Sequence, residues 1–113
     1  MSWWIYLEDD SGESVIVDSH SDGGTYCVGG TSSAELNMTY NYSKPFGEAG
    51  FNLRSINGKR AAECVDEMER VVAALGTERA SDYWAPTNGN AGAALNRLCT
   101  WARQHPQAKW RVS

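Results

Sequence analysis

Two carboxylates and an imidazole fall within one short segment, Asp18-Ser19-His20-Ser21-Asp22. These are residue types that carry out acid-base catalysis or bind metal ions. The spacing is specific for neither, and in a Ser- and Gly-rich stretch such residues are more often turn formers. A small hydrolase that uses Asp18, His20 and Asp22, with or without a metal, is therefore kept as an alternative. The second histidine, His105, precedes Pro106 and is expected at a helix end.

A second polar motif is the run Leu36-Asn37-Met38-Thr39-Tyr40-Asn41-Tyr42-Ser43. If it forms a strand, every second side chain shares a face, so one face is apolar and aromatic. The other face then carries amides and hydroxyls that donate and accept hydrogen bonds, which suits a polar ligand or another backbone. A solvent-facing strand, or asparagines that fix neighbouring loops, is the simpler alternative.

The third motif runs from Asp82-Tyr83-Trp84-Ala85-Pro86 into Thr87-Asn88-Gly89-Asn90-Ala91-Gly92. Free amides at a helix start can hold an anion, although this segment matches neither a P-loop nor a dinucleotide fingerprint. Capping of the helix by Asn88 or Asn90 is the simpler explanation. With its two aromatic residues, the segment could also form a pocket wall for a base or sugar.

None of the three motifs is a complete catalytic constellation, so the leading hypothesis is a non-enzymatic binding protein without a cofactor. Trp4 and Tyr6 suit an interface, whereas Trp3, Trp101 and Trp110 fall where core packing explains them. The residues predicted to bind a ligand or partner are Asn37, Thr39, Asn41, Tyr42, Tyr83, Trp84 and Asn90.

Hydrophobic periodicity predicts the elements that must position these motifs. Strands are predicted at residues 3–8, 14–18, 25–28, 35–42 and 108–112, with a turn at 9–12 and a break at 29–33. Helices are predicted at residues 58–75, with Ala61, Val65, Met68, Val72 and Leu75 on one face, and at about 91–102, with Gly76 and His105-Pro106 as stops. The closing strand should pair with an N-terminal one.

The order β-β-β-β-α-α-β predicts an α+β fold, with a mainly antiparallel sheet and two helices packed on one face. The length of 113 residues suits a single domain over residues 1–113. Within it we distinguish an acidic, strand-rich half, residues 1–43, from a helical half with the closing strand, residues 44–113.

Charge is distributed unevenly between these halves. Residues 1–43 hold seven of the fourteen acidic residues and none of the ten Lys and Arg residues. Phosphate backbones are bound chiefly by clustered Lys and Arg, so direct nucleic-acid binding is not expected. A basic partner surface would complement this half better.

Two features indicate the compartment. The cysteines Cys27, Cys64 and Cys99 are odd in number and lack the close pair of a zinc site, so we expect reduced and mostly buried thiols. Met1 is followed directly by Ser2-Trp3-Trp4, and no basic segment leads a long apolar run. We therefore expect a cytoplasmic protein without a membrane partner.

The segments Gly23-Gly24-Thr25-Tyr26, Leu36 to Tyr42, Asp82-Tyr83-Trp84 and Thr87-Asn88-Gly89-Asn90-Ala91 together resemble a family of small uncharacterised proteins from bacteria, prophages and phages. This resemblance implies a phage or prophage setting and no mechanism. By analogy with phage accessory proteins, the partner would be a host protein, including a defence complex as an anti-CRISPR would target, or a nucleotide-like small molecule. A phage structural or assembly component, forming a homo-oligomer, is a further alternative.

Overall fold

The computed structural model describes residues 1–20, 31–82 and 84–113. Its strands are β1 (Ser2–Glu8), β2 (Ile16–His20), β3 (Thr31–Ser33), β4 (Glu35–Thr39) and β5 (Lys109–Val112). Its helices are α1 (Ser43–Glu48), α2 (Ala61–Leu75) and α3 (Asn88–Gln104), with 3-10 turns at Tyr40–Tyr42 and Leu53–Ile56. Helices combined with antiparallel strands confirm the predicted α+β class.

β1 is the central strand of a three-stranded antiparallel sheet with the order β4-β1-β5. The predicted pairing of the closing strand with an N-terminal one is confirmed, because Leu7 of β1 lies opposite Trp110 of β5. One sheet face is buried, and its side chains join those of α2 and α3 in a single core. The buried sheet residues are Trp3, Ile5, Leu7, Leu36, Met38, Trp110 and Val112.

A second, two-stranded sheet is formed by β2 and β3. The predicted turn precedes it, since the Asp9 carboxylate accepts hydrogen bonds from the backbone N–H groups of Ser11 and Glu13. The predicted break at 29–33 is wrong for Thr31–Ser33, which forms β3 because pairing with β2 overrides a locally loop-like sequence. The strand predicted at 25–28 lies outside the described residues.

β4 ends earlier than the sequence predicts, at Thr39 rather than at Tyr42. The Thr39 hydroxyl accepts a hydrogen bond from the N–H of Asn41, and the Ser43 hydroxyl donates one to the carbonyl oxygen of Tyr40. Such local side-chain bonds compete with the strand and stabilise the 3-10 turn instead. Asn41 therefore does not share a strand face with Asn37 and Thr39.

α2 and α3 pack against each other and against the sheet. The buried stripe of α2 comprises Ala61, Cys64, Met68 and Val71, so it is rotated from the predicted face, whose Val65, Val72 and Leu75 are only partly buried. Gly76, with φ of 78°, ends α2 as predicted. None of the helices in the described ranges is long and apolar enough to cross a membrane.

The tryptophans divide as the sequence predicts. Trp3, Trp101 and Trp110 are buried in the core. Trp4 and Trp84 are 41% and 51% exposed, which is unusual for so large an apolar side chain. These two residues mark the outer sheet face and the loop before α3, respectively, as surfaces to consider for binding.

Candidate functional site

The two polar motifs of the sequence meet through one hydrogen bond. The side-chain amide of Asn41, in the turn after β4, donates from Nδ2 to the carbonyl oxygen of Trp84 at 2.9 Å. The two residues are distant in sequence, and both are exposed. The structure thus joins the turn after β4 to the loop before α3.

An open groove of about 550 Å³ lies at this junction. Its lining residues are Asn41, Asp82, Trp84, Ala85 and Pro86. Asp82 folds the loop locally, because its Oδ1 accepts a hydrogen bond from the N–H of Trp84 at 3.0 Å. The groove therefore combines an aromatic ring, an amide and a carboxylate, which can provide apolar contact area and accept hydrogen bonds.

Asn90 of α3 fixes the backbone of the loop that lines the groove, residues 80–82 and 84–86, which we call the groove loop. The side chain of Asn90 is 3% exposed, and its Oδ1 accepts a hydrogen bond from the N–H of Ala80 at 2.9 Å. Its Nδ2 donates to the carbonyl oxygens of Asp82 at 2.9 Å and Ala85 at 3.1 Å. Asn90 was predicted to contact a partner, and here its carboxamide instead fixes the backbone that presents Trp84.

Glycines bring the same loop into direct backbone contact with α3. A Cβ built on Gly89 would lie 1.7 Å from the carbonyl oxygen of Glu78, and one built on Gly92 would lie 1.7 Å from that of Gly76. A side chain at either position would displace the loop. The segment that suggested an anion site therefore binds the chain's own backbone.

Thr87 caps α3, instead of the predicted Asn88 or Asn90. The Thr87 hydroxyl accepts a hydrogen bond from the N–H of Asn90 at 3.1 Å, which satisfies one of the free amides at the helix start. The predicted cap residues are therefore wrong, although a side chain of the same motif caps the helix.

Two of the other predicted binding residues, Tyr42 and Asn37, lie apart from the groove. Tyr42 is fully buried, and its ring makes an edge contact with Phe46 at a centroid distance of 6.3 Å. Asn37 lies on the outer face of the sheet, where its Nδ2 donates to Ser2 Oγ at 2.7 Å and to the Trp3 carbonyl oxygen at 3.2 Å. Tyr83 lies outside the described residues.

Thr39 connects the sheet face with the groove. It lies opposite Ser2 on the outer sheet face, and its hydroxyl accepts a hydrogen bond from the N–H of Asn41 at 3.1 Å. Thr39 therefore positions Asn41, which in turn contacts the groove loop. Of the predicted binding residues, Asn41 and Trp84 meet in the groove, while Thr39 and Asn90 support them from either side.

The outer sheet face carries a second set of aromatic and charged side chains. The Arg111 guanidinium lies 4.0 Å from the centroid of the Tyr6 ring, and it donates to Glu8 Oε2 from Nη2 at 2.8 Å and from Nε at 3.0 Å. This hydrogen bond raises the pKa of Arg111 above its ordinary value. The sequence suggested Tyr6 as an interface residue but did not suggest Arg111. Its alternation with Trp110 and Val112 could have placed Arg111 on the exposed face of β5.

Asp18 and His20 do not converge within the described part of the chain. A register shift between Ile16 and His20 turns the imidazole inward, where it is 4% exposed and lies 5.0 Å from the Trp101 ring. Its Nε2 lies 3.2 Å from the carbonyl oxygen of Ser33, whereas Asp18 is exposed. Asp22 lies outside the described residues, among which no group of three or more His, Cys, Asp or Glu side chains could hold a metal.

The described thiols are suited to packing rather than to nucleophilic chemistry. Cys64 and Cys99 are free and buried, as predicted, and Cys27 lies outside the described residues. Burial raises the pKa of the Cys64 thiol, and it raises that of Cys99 to about 12. Thiolates are the reactive form, so burial of both groups disfavours nucleophilic chemistry near neutral pH.

Comparisons of this chain with protein-family models, with curated proteins and with solved structures give no match.

Proposed function

We propose that this is a non-enzymatic binding protein that presents Trp84 to a partner from the groove at Asn41, Asp82, Trp84, Ala85 and Pro86. The hydrogen bond from Asn41 to Trp84 carries the proposal, because it links two segments that each suggested recognition. Asn90 and the close contact at Gly89 support it further. They fix the loop before any partner arrives, so less conformational entropy is lost on binding.

A protein fits this groove better than a nucleotide-like small molecule. Small ligands are usually enclosed in pockets that bury most of their surface, whereas Asn41, Asp82, Trp84 and Pro86 are all exposed. An exposed Trp beside a polar rim is typical of the residues that contribute most to protein interfaces. The partner class that we favour is therefore a protein.

The charges indicate which side chain the partner presents. Asp82 is the charged residue among those that line the groove, and the whole chain has a net charge of −4. A Lys or Arg side chain could bind the Asp82 carboxylate and also pack on an aromatic face. We propose a host protein with such a basic patch, in the host cytoplasm if the chain is phage-encoded.

The first experiment tests whether the groove is the binding surface. The wild-type protein, Trp84→Ala and Trp4→Ala would each be used to capture proteins from host lysate, followed by titration with the purified candidate. Trp4 is a matched control because it is similarly exposed on a different surface. We expect Trp84→Ala to weaken the association at least about 30-fold, as for an interface hot spot, and Trp4→Ala to leave it unchanged. Equal loss in both variants would refute a groove-specific site.

The second experiment separates charge from shape. Asp82→Asn keeps the Oδ1 that accepts from Trp84 but removes the carboxylate charge. The variant should therefore keep its fold, bind the same partner more weakly and show a smaller salt dependence of the association rate. Saturation-transfer NMR with a panel of nucleotides and monosaccharides provides the counter-test, since saturable binding in the groove would favour the small-molecule alternative.

A further inference from the structure

The two outer edges of the three-stranded sheet differ in whether other parts of the described chain form hydrogen bonds with them. The edge of β5 is covered by the chain before α2: Trp110 N donates to the Lys59 carbonyl oxygen at 2.9 Å, and Gly58 N donates to that of Trp110 at 2.8 Å. The Asn57 side chain also accepts the N–H of Val112 at 2.9 Å. At the opposite edge, no strand of residues 1–20, 31–82 or 84–113 pairs with the outer side of β4.

The register with β1 shows which groups this open edge presents. Leu7 N donates to the Ala34 carbonyl oxygen, and Tyr40 N donates to that of Met1. These bonds lie at the two ends of the β1–β4 pairing, and they show that the backbone groups of Ala34 and Tyr40 point towards β1. Backbone groups in an antiparallel strand point alternately to the two sides. The backbone groups that point away from β1 are therefore the N–H and C=O groups of Glu35 and Asn37 and the N–H of Thr39. The carbonyl of Thr39, as N-cap, begins the 3-10 turn that follows.

β4 also lacks the features that normally prevent edge-to-edge pairing. It contains no Pro or Lys, its pairing with β1 shows no register shift, and its one charged residue, Glu35, lies at its end. Natural edge strands usually carry such features to block association. Within residues 1–20, 31–82 and 84–113, the edge of β4 is thus unpaired and unblocked, whereas the edge of β5 is covered.

We propose that a second copy of this chain pairs with β4, strand to strand and antiparallel, about a two-fold axis at Asn37. In that register Asn37 lies opposite Asn37 of the second copy, and Leu36 lies opposite Met38 of that copy. Glu35 lies opposite Thr39, so the carboxylates of the two copies are kept apart. The same surface is thus complementary to itself, as a closed dimer requires.

The outer sheet face would become continuous across this dimer. Trp4 lies beside Asn37 and Tyr6 lies beside Glu35 in the β1–β4 register, so each copy adds its aromatic residues to the same side of a joined sheet. The groove is lined by Asn41 of the turn after β4 and by residues of the loop before α3, and none of its lining residues belongs to β4 itself. Dimerisation and partner binding can therefore be tested separately.

Thr39 permits a sharp test. Its φ of −63° already matches that of proline, and its N–H points to the open edge rather than to β1. Thr39→Pro removes the outward donor, while Thr39→Ala keeps it, and both variants lose the hydroxyl bond to Asn41. In the proposed dimer, the N–H of Thr39 donates a hydrogen bond to the second copy, and the two-fold axis makes two such bonds. We therefore expect the dissociation constant to rise at least about tenfold in Thr39→Pro relative to Thr39→Ala.

Sedimentation velocity over a wide concentration range would measure this difference, with circular dichroism to check folding. The proposal is overturned if the wild-type protein stays monomeric throughout, or if Thr39→Pro dimerises as well as Thr39→Ala. Should Thr39→Pro fail to fold, isotope-filtered NMR on a mixture of labelled and unlabelled wild-type protein decides. Contacts between the Asn37 residues of two copies support the dimer, and contacts elsewhere, or none, contradict it.

Discussion

The Cα of Gly92 in α3 lies directly against the carbonyl oxygen of Gly76, so a Cβ at this position would approach that oxygen to 1.7 Å. Gly92→Ala must therefore push the segment after α2 away from α3. We expect a loss of about 2 kcal/mol or more in the free energy of unfolding, from urea denaturation. Gly47→Ala, where a Cβ meets nothing within 4 Å in α1, is the control and should be neutral or slightly stabilising.

Asn90→Ala should destabilise the groove loop more than its single side chain suggests. It would leave the N–H of Ala80 and the carbonyl oxygens of Asp82 and Ala85 without their partner. Unsatisfied groups of this kind cost about 1–3 kcal/mol each when they remain buried. We expect a loss of about 2–4 kcal/mol and faster hydrogen exchange at Ala80. The exposed Asn88, in the same first turn of α3, provides the control as Asn88→Ala, which should change neither.

His20→Ala tests the hydrolase alternative against packing. Because the imidazole is buried against Trp101, its removal should reduce the free energy of unfolding by about 1–3 kcal/mol. Asp18→Ala, at an exposed position, should have little effect. The melting temperature should also be insensitive to zinc and to chelator. A metal-dependent rise in the wild-type protein that both variants abolish would restore the Asp18, His20 and Asp22 site as a hypothesis.

The buried thiol of Cys99 should make the free energy of unfolding decrease at alkaline pH. Burial holds its folded pKa at about 12, against an ordinary value of 9.0, so the unfolded chain loses this proton first as the pH rises. The thiol's contribution is complete below pH 9.0 and is lost progressively towards pH 12, by up to about 1.4 kcal/mol per pH unit. The free energy of unfolding should therefore fall less steeply over this range in Cys99→Ala than in the wild-type protein. Parallel pH profiles would contradict the assignment to this thiol.

The sequence was most informative where periodicity and core burial agree. Trp3, Ile5 and Leu7 alternate with exposed or partly exposed residues, and both α3 and the strand after it follow their predicted patterns. The end of β4 could not be read in this way, because the hydroxyls of Thr39 and Ser43 bond to nearby backbone and stop a strand that alternation alone would continue. Such competition depends on side-chain geometry that periodicity does not record.

The sequence predicts individual residues of the groove but not the contact between them. Asn41 and Trp84 were both identified from their residue types, yet their contact depends on how the turn after β4 and the loop before α3 are packed. Asn90 shows the opposite situation, because an amide that is expected to bind a partner can equally bind backbone. Residue type alone does not distinguish these two uses, whereas burial does.

The bonds of the Asn90 side chain have a consequence for the variability of this surface. Each of them ends on a backbone atom, at Ala80, Asp82 or Ala85, and none on a side chain of the groove. These three bonds therefore do not depend on which side chains the loop displays at Trp84 and Pro86. Exposed positions such as Trp84 and Pro86 can diversify while Asn90 keeps the scaffold unchanged. Such a loop could follow an evolving target, and in the laboratory it could be randomised to select new binding specificities.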